Sequence, residues 1–385
     1  MSALIFLPRQ LSEVLDSAPR GLARINPARP TELDIIYKDI SQWAKPTMRW
    51  LTENAKMDKP VRGSKWILRG VSFLPAQQIG KVFFKSGKID RERLKEFNIT
   101  EAQAKALKSE RMCPHATQGC MAVCLSTSGQ LGLPNSIQAQ VRRQIIYKQN
   151  RPAFMTILVL GIASLYKTAR KGKARLGIRL NVTSDLSWED LSLTINPWLA
   201  KYLKTQYGHM VKPGNYRNLM EVFPKVMFYD YTKVNTRMLK YLTGDFPPNY
   251  HLTWSLAEIS MNRKMALEIL KRKGGSVSVA FDIVMPKDRP GQPKMTLKQK
   301  AKKAPLPKTL TIIDQQGRKH TFKVTDADMH DLRPMDLKGT WAGLRFKVPK
   351  NKKLAGMKDR EKMEAAGAFV VKTKGSPHPV IRIER

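Results

Sequence analysis

The chain has 385 residues, of which 69 are Lys or Arg and 31 are Asp or Glu, so its formal net charge is +38 with histidine neutral. Apolar residues make up 42% of the chain, which is enough to bury a core and excludes a basic tail disordered throughout. Because so large a charge repels itself unless a polyanion balances it, we predict a nucleic-acid partner, DNA or RNA, with anionic lipid as the alternative.

The three cysteines exclude a secreted scaffold held by disulfides, since three thiols cannot all pair. The N-terminal sequence predicts no signal peptide. The longest apolar run, residues 153–166, is shorter than the roughly 20 residues that a membrane span needs, so we expect a buried core helix and no membrane span. These features together predict a location in a reducing cytoplasm.

Hydrophobic periodicity predicts six strands separated by helical segments. Residues 1–62 read as an N-terminal arm or helical cap, with a helix over 31–44 after Thr31. The strands are predicted at 65–74, 174–182, 225–231, 250–256, 276–284 and 339–348, and the helices at 136–150, 152–173, 188–207 with a break at Pro197, 235–243 and 260–274. This alternation is typical of βαβ units, and we predict an α/β fold: a partial (β/α) barrel of about six mainly parallel strands, or else an open doubly wound sheet.

Composition divides the rest of the chain. We predict an α/β core over 63–285 that carries the cysteine loop, a basic linker or insertion over 286–310, the last strands of the core over 311–350, and a basic C-terminal extension over 351–385. Residues 286–308 and 347–362 are rich in lysine, which favours a solvated surface that binds a polyanion.

The three cysteines lie within twelve residues of one another, at Cys113, Cys120 and Cys124. Three thiolates leave one position open on a tetrahedral zinc ion or on one iron of a [4Fe–4S] cluster, and His115 is a candidate fourth ligand for zinc. We predict a metal or cluster site here. The alternative is that small buried thiols pack the loop against the sheet.

Short polar side chains follow the strand 174–182, at Asn181, Thr183, Ser184 and Asp185. Ligand sites in α/β folds lie at the carboxyl ends of strands, so we predict that Asn181, Thr183 and Ser184 bind a cofactor and that Asp185 is catalytic. The alternative is helix capping, in which Asp185 or Ser187 caps a helix that begins at Trp188.

Two further strands end in candidate site residues. Tyr229, Tyr231 and Lys233 suggest a tyrosine nucleophile for a DNA phosphate with a lysine that stabilises charge, or a base-stacking platform, or ordinary strand aromatics. On the next strand we predict His251 and Glu258 as catalytic and Ser255 as cofactor-binding. The alternative for a lone strand histidine is a structural role.

An acidic cluster lies in the C-terminal part of the chain, and local ion pairs explain it more simply than a functional site does. We expect its carboxylates to pair with local arginines rather than to bind a divalent ion. The cluster consists of Asp326, Asp328, His330, Asp331, Arg333 and Asp336.

Five of these strings occur together in a recognisable order. They are CPxAxxGCxxxCLxTxG at 113–129, RLNxTSDLSWE at 179–189, FPxVxFYDYTKV at 223–234, NYHLTxSLAE at 249–258 and the acidic block at 326–339. In this combination the chain resembles a family of bacteriophage and prophage proteins. The resemblance implies a phage protein located in the host cytoplasm, or alternatively packaged in the virion.

The layout of a cysteine loop before strands with polar ends is also similar to radical-SAM partial barrels. That similarity implies a [4Fe–4S] cluster and S-adenosylmethionine, although the spacing here is C-x6-C-x3-C rather than C-x3-C-x2-C.

We therefore predict a phage nucleic-acid-binding protein with a cysteine-bound metal or iron–sulfur site, acting in genome replication or nucleic-acid modification, and we favour an enzyme. One alternative is a non-enzymatic accessory or genome-associated protein that binds DNA or RNA. The other is a replication initiator that nicks DNA with a tyrosine, although His251 lacks the HxH partner that the metal site of such nickases uses.

Overall fold

A computed structural model describes residues 42–43, 50–52, 65–127, 129–208, 210–347 and 367–384. Within these residues the protein is a mixed α/β fold with eleven α-helices and fourteen strands. Most of the predicted N-terminal arm, including nearly all of the predicted helix at 31–44, lies outside the described residues. The lysine-rich segment 347–362 lies outside them too, except for its first residue.

Ten strands form one large, mostly parallel sheet. Nine of them follow the order β1 (Trp66–Gly70), β4 (Arg175–Arg179), β7 (Met227–Thr232), β8 (Tyr250–Ser255), β9 (Val277–Phe281), β12 (Trp341–Arg345), β11 (Lys319–Asp326), β10 (Thr309–Ile313) and β14 (Val380–Arg382), and β13 (Val370–Val371) pairs with β9. Among the strand pairs of this large sheet whose register is described, only β10–β11 is antiparallel. Two small antiparallel pairs are separate from this sheet: β2 (Phe84–Lys85) with β3 (Lys88–Ile89), and β5 (Leu193–Ile195) with β6 (Gly214–Tyr216).

All six predicted strands are present, and the prediction of a mainly parallel α/β sheet is confirmed. The predicted number of strands is wrong, because the sheet has ten and not six. The four additional strands, β10, β11, β13 and β14, lie after residue 308, where short length and many lysines obscure the apolar pattern. A partial barrel is not shown by this strand order and stays a prediction, as does the similarity to radical-SAM layouts.

The helices begin mostly at residues suited to N-caps. For example, the Thr100 hydroxyl accepts from the Gln103 backbone, and Asn150 and Asn196 accept in the same way from Ala153 and Leu199. The helices are α1 (Ala76–Phe83), α2 (Arg91–Phe97), α3 (Glu101–Ser109), α4 (Gln118–Ala122), α5 (Pro134–Gln149), α6 (Arg151–Lys171), α7 (Pro197–Tyr207), α8 (Leu219–Val222), α9 (Asn235–Thr243), α10 (Ser260–Lys271) and α11 (Leu297–Lys303).

The single helix predicted over 188–207 is wrong in its first half. Residues Trp188–Asp190 form a 3-10 turn, β5 follows, and the α-helix starts only at Pro197, with Asn196 as its cap. Proline suits the first helical turn because the amide hydrogen it lacks would have no partner there. Pro197 therefore begins a helix rather than breaking one.

The segment 286–308, predicted as a flexible basic linker or insertion, contains the helix α11. A capping box between Thr296 and Gln299 starts this helix, and Lys300 pairs with Asp288 at 2.7 Å. These local bonds give the segment regular structure despite its prolines. Further along, the described part of the predicted C-terminal extension contributes β13 and β14 to the sheet.

The protein divides into two compact units. Unit 1 comprises residues 1–53, 63–113 and 134–228, and unit 2 comprises residues 54–62, 114–133 and 229–385. In unit 1, α6 packs against α5, α7 and β4. Its core is aromatic: the Phe73 ring lies 5.4 Å from that of Tyr147 and 5.8 Å from that of Phe154.

In unit 2, the helices α9 and α10 follow β7 and β8 and pack against each other and against β8 and β9. Trp254 and Trp341 are fully buried, and their indole nitrogens donate to the Asn262 and Leu310 carbonyls, both at 3.0 Å. Gly343 lies in β12 where an added Cβ would come within 2.6 Å of the Val324 side chain. This part of the sheet is therefore packed too closely for any side chain at that position.

Among the described residues, one helix is long and apolar enough to cross a membrane by length and composition alone, and it is α6. Of its apolar window, 61% is buried inside the protein. This is typical of a core helix, as predicted for residues 153–166, and it is weak evidence for a membrane span.

Candidate functional site

The three cysteines are free thiols. In unit 1, the Cys113 thiol donates to the Thr183 carbonyl at 3.5 Å. In unit 2, the Cys124 sulfur accepts from the Ser126 hydroxyl at 3.3 Å. Burial raises the pKa of the Cys124 thiol, and the Ser126 bonds only partly offset this, so the thiol stays protonated at neutral pH.

Within the described part of the chain, no group of three or more His, Cys, Asp or Glu side chains is arranged to hold a metal ion. The predicted zinc or [4Fe–4S] site, with Cys113, Cys120 and Cys124 as ligands, and the predicted S-adenosylmethionine cofactor stay predictions. The function proposed below uses none of them.

In unit 1, the polar side chains of the loop after β4 are buried, and several of them bond within the loop. The Asn181 side-chain oxygen accepts from the Ser184 hydroxyl at 2.8 Å, from the Leu186 amide at 3.0 Å and from the Trp188 indole at 3.0 Å, and its amide donates to the Leu186 carbonyl at 2.9 Å. Asn181 thereby holds the loop in one conformation. Ser187 makes no side-chain capping bond to the following turn, so the capping alternative is wrong for that residue.

Thr183 and Asp185 are buried in the same loop. The Thr183 hydroxyl donates to the Phe73 carbonyl at 2.7 Å, and the Asp185 amide donates to the Met112 carbonyl at 2.7 Å. These bonds join the loop after β4 to two other segments of unit 1, the one that follows β1 and the one just before the cysteines. The cofactor-binding and catalytic roles predicted for Asn181, Thr183, Ser184 and Asp185 stay predictions.

In unit 2, the tyrosine strand meets the acidic cluster. The hydroxyl of Tyr229, which is fully buried, donates to Asp331 at 3.3 Å. Arg333 is also fully buried and pairs with Asp336 at 3.0 Å. Burial opposes the charge on Arg333, but Tyr231 and the nearby carboxylates outweigh it and raise the pKa of the guanidinium. Arg333 therefore stays charged in the interior.

The rest of the acidic cluster pairs with a second arginine. Arg345 is 4% exposed and contacts Asp326 at 2.9 Å and Asp328 at 3.2 Å. The expectation of ion pairs with local arginines is confirmed by these contacts and by Arg333–Asp336. Because their charges are balanced inside the fold, these acidic residues serve packing and orientation.

His251 lies on β8 with its ring largely enclosed. Its Nδ1 hydrogen-bonds the Tyr241 hydroxyl at 2.8 Å, and its Nε2 is buried with no hydrogen-bond partner among the described residues. Burial, with smaller contributions from the charges of Lys338 and Arg333, lowers the pKa of His251 to about 4. The ring is therefore neutral at physiological pH, which suits a structural group better than a proton shuttle.

Lys233 and Ser255 come together at the carboxyl ends of β7 and β8. The Lys233 ammonium donates to the Ser255 hydroxyl at 3.0 Å and lies 5.5 Å from the centre of the Phe369 ring. Glu258 follows β8, and its carboxylate accepts from the Thr117 hydroxyl at 2.7 Å and from the Gly119 amide at 2.9 Å. Glu258 thus anchors the start of α4 in unit 2.

A cavity of about 310 Å³ lies beside these residues in unit 2. Lys233 lines it, as does Asn262, whose side chain also bonds the Ser255 carbonyl and the Ala257 amide. Lys233 was predicted from the sequence as a site residue, whereas Thr117, Asn235 and Asn262 were not. Asn235 and Asn262 lie in the first turns of helices that follow strands, and that position could have signalled them.

A second feature of unit 2 is one face of the strands β10, β11 and β14, which we call the basic face. Lys319, Thr321 and Lys323 point outward from β11 and are exposed, and their partners on β10 are Ile313, Thr311 and Thr309. On β14, exposed Val380 and Arg382 pair with Thr311 and Ile313 and so share the face.

The basic face carries three cations and no carboxylate. The opposite face of β10 presents Leu310 and Ile312, both fully buried, so the strands are pinned to the core on that side. The hydroxyls of Thr311 and Thr321 join β10 to β11 at 2.8 Å. Strand geometry places Lys319 and Lys323 about 13 Å apart along β11. The strands that carry these cations are thus held in place by the core, and the cationic side chains extend from them into solvent.

The chain was compared with known proteins. The sequence model of a family described as gene product 88, a family of phage proteins, matches residues 81–347, which is more than half of the chain. No curated protein and no solved structure matches.

Proposed function

The chain belongs to the gene product 88 family of phage proteins, and we propose that it binds nucleic acid through contacts to the phosphate backbone. The observation that carries the proposal is the formal net charge of +38. Phosphate contacts by Lys and Arg supply most of the sequence-independent affinity for nucleic acid, because each contact releases condensed counterions.

The basic face supports the proposal in the described part of unit 2. The exposed side chains of Lys319, Lys323 and Arg382 lie on the same face of β11 and β14, on either side of β10, whose Thr311 and Ile313 are buried. The helix α11, which precedes β10 in the sequence, adds exposed lysines at 298, 302 and 303. Thr321 is exposed between the two lysines of β11, and its hydroxyl can donate to a phosphate oxygen when Thr311 is the donor in the bond between them. A phage replication or nucleic-acid modification role is the setting we propose for this binding.

The alternative of a tyrosine that nicks DNA is less well supported. Of the two candidate tyrosines, Tyr229 is fully buried with its hydroxyl bonded to Asp331, and Tyr231 is half-buried. A nucleophile for a DNA phosphate has to reach the nucleic acid. The proposal therefore rests on binding and includes no enzymatic step. Membership in a phage family is consistent with action inside the host cell.

Salt dependence tests this proposal. Fluorescence anisotropy with labelled single-stranded DNA, duplex DNA and RNA would give the dissociation constant from 50 to 300 mM salt. We expect the logarithm of affinity for duplex DNA to fall linearly with the logarithm of salt, with a slope of about −0.9 for each phosphate contacted. Absence of binding to all three at 50 mM salt, or a slope near zero, would refute the proposal.

A further inference from the structure

The cavity of about 310 Å³ in unit 2 has the chemistry of an anion site. Three segments of the chain line it: the loop before α4, the junction of β7 with α9, and the first turn of α10. Its polar lining consists of His115, Thr117, Lys233, Asn235 and Asn262. The side chains of His115, Lys233, Asn235 and Asn262 can donate a hydrogen bond, the Thr117 hydroxyl already donates to Glu258, and none of the five is a carboxylate.

Glu258 is the carboxylate nearest to these lining residues along the chain, and it bonds the loop before α4. Glu258 directly precedes the lining residue Ile259, but its two oxygens accept from the Thr117 hydroxyl and the Gly119 amide. Glu258 therefore holds in place the loop that forms one wall of the cavity. Among the side chains that line the cavity, Lys233 carries a full positive charge.

Lys233 is held in position on the cavity wall. Its ammonium bonds the Ser255 hydroxyl at 3.0 Å and lies over the Phe369 ring at 5.5 Å. The side chain is half-buried, so its field is screened less than that of a surface lysine. A lysine fixed in this way has lost much of its conformational entropy before a ligand arrives.

The backbone around the cavity also favours an anion. The N-cap residues of α9 and α10 are Val234 and Ile259, and neither makes a side-chain bond to the helix start. Asn235 and Asn262, which line the cavity, lie in the first turns of these two helices. The positive ends of both helix dipoles therefore favour an anion in the cavity, as does the charge of Lys233, which lines it.

We propose that this cavity binds the phosphate group of a phosphate monoester, with Lys233 as the charged partner and the Asn235 amide as a hydrogen-bond donor. A volume of about 310 Å³ admits a phosphate together with part of an attached group. The phosphate can belong to a free nucleotide or to the terminus of a nucleic-acid strand. The proposal stands independently of backbone binding by the basic face, because inorganic phosphate itself is a sufficient probe.

Isothermal titration calorimetry of the full-length protein tests the proposal, with inorganic phosphate and a nucleoside monophosphate as probes. We expect one site in the wild type and a loss of affinity of about tenfold or more in Lys233→Gln, since a charged hydrogen bond is removed. Lys264→Gln removes an equal charge from an exposed position on α10 and should change the affinity less than twofold. Equal losses in both variants, or no binding by the wild type, would overturn the proposal.

A second variant separates binding from folding. Asn235→Asp is nearly isosteric and places a negative charge in the first turn of α9, where the helix dipole favours it. We expect its Tm to equal or exceed that of the wild type while phosphate binding is lost. A variant that binds phosphate as tightly as the wild type would contradict the assignment.

Two oligonucleotides distinguish the sources of the phosphate. A strand with a 5′-phosphate that binds more tightly than the same strand with a 5′-hydroxyl, with the preference lost in Asn235→Asp, identifies a strand terminus as the ligand. Equal binding of the two strands, together with competition by the mononucleotide alone, identifies a free nucleotide.

Discussion

Replacing His251 with Asn should remove about 2 kcal/mol of the stability that the fold loses between pH 8 and pH 5. Burial is the main reason that the pKa of His251 falls from 6.5 to about 4, and the charges of Lys338 and Arg333 add to it. The Tyr241 hydroxyl, bonded to Nδ1, has its own pKa raised to about 12 by burial and so stays neutral. Protonation of His251 in the folded protein would place a charge in a site without a compensating carboxylate on the ring.

The direction of this pH dependence follows from whether the folded and unfolded chains bind a proton at His251. Between pH 6.5 and 4 the unfolded chain binds a proton at His251 and the folded chain does not, so the free energy of unfolding decreases as the pH falls. The contribution is fully present above pH 6.5 and lost by about pH 4. The difference of 2.5 pKa units corresponds to about 3 kcal/mol in total, of which about 2 kcal/mol is lost between pH 8 and pH 5.

Urea denaturation at pH 8, 7, 6 and 5 measures this dependence. The wild type should lose about 2 kcal/mol more than His251→Asn over the range. The comparison is a difference between the two proteins, so the other histidines and the carboxylates, which both share, cancel. If the two proteins show the same pH slope, His251 is not kept neutral in the fold and the reasoning is refuted.

Three further substitutions test the packing of unit 2 and unit 1 by urea denaturation. Arg345→Met leaves the carboxylates of Asp326 and Asp328 without their buried partner and should cost about 3 kcal/mol; a cost below 1 kcal/mol would show that the pair is dispensable. Gly343→Ala should cost about 1–3 kcal/mol, because its Cβ would come within 2.6 Å of a neighbouring side chain. Gly80→Ala, the matched control in α1, has ordinary contact distances and should stabilise by about 0.5–1 kcal/mol; destabilisation there would contradict the packing described.

The sequence predicts the central strands well because their apolar patterns are strong. The buried segments of β4, β8 and β9 are rich in Leu, Ile, Val and aromatic residues, as expected for strands covered on both faces. The strand β11, which lies between β12 and β10, is different, since it alternates Lys and Thr with His, Phe and Val. Its polar residues are the exposed half of a strand, and their charge conceals the period of two.

The helix at 188–207 shows a second limit of prediction from sequence. Leu191, Leu193 and Ile195 fit a helical as well as an extended pattern over so short a segment. The pairing of β5 with β6, about twenty residues later, decides between them. Only a contact between distant segments supplies that information.

The candidate sites were predictable to the extent that the carboxyl ends of parallel strands collect polar residues. That rule identified Lys233, Ser255 and Glu258, and the structure brings Lys233 and Ser255 to 3.0 Å. It did not predict that Glu258 bonds Thr117, since 141 residues separate them. The structural role of Asn181 could not be predicted from the sequence either. Its side chain makes four hydrogen bonds within the loop, and these form only when the loop is folded.

The most direct test of nucleic-acid binding through the basic face is the salt dependence of two triple variants. One replaces Lys319, Lys323 and Arg382 with Gln, and the matched control makes the same change at three exposed cations of unit 1, Lys105, Arg111 and Lys201. We predict that the first variant reduces the magnitude of the salt slope on duplex DNA by up to about 2.7, while the control leaves it nearly unchanged. Equal slopes in both variants and the wild type would show that these cations do not contact the phosphates.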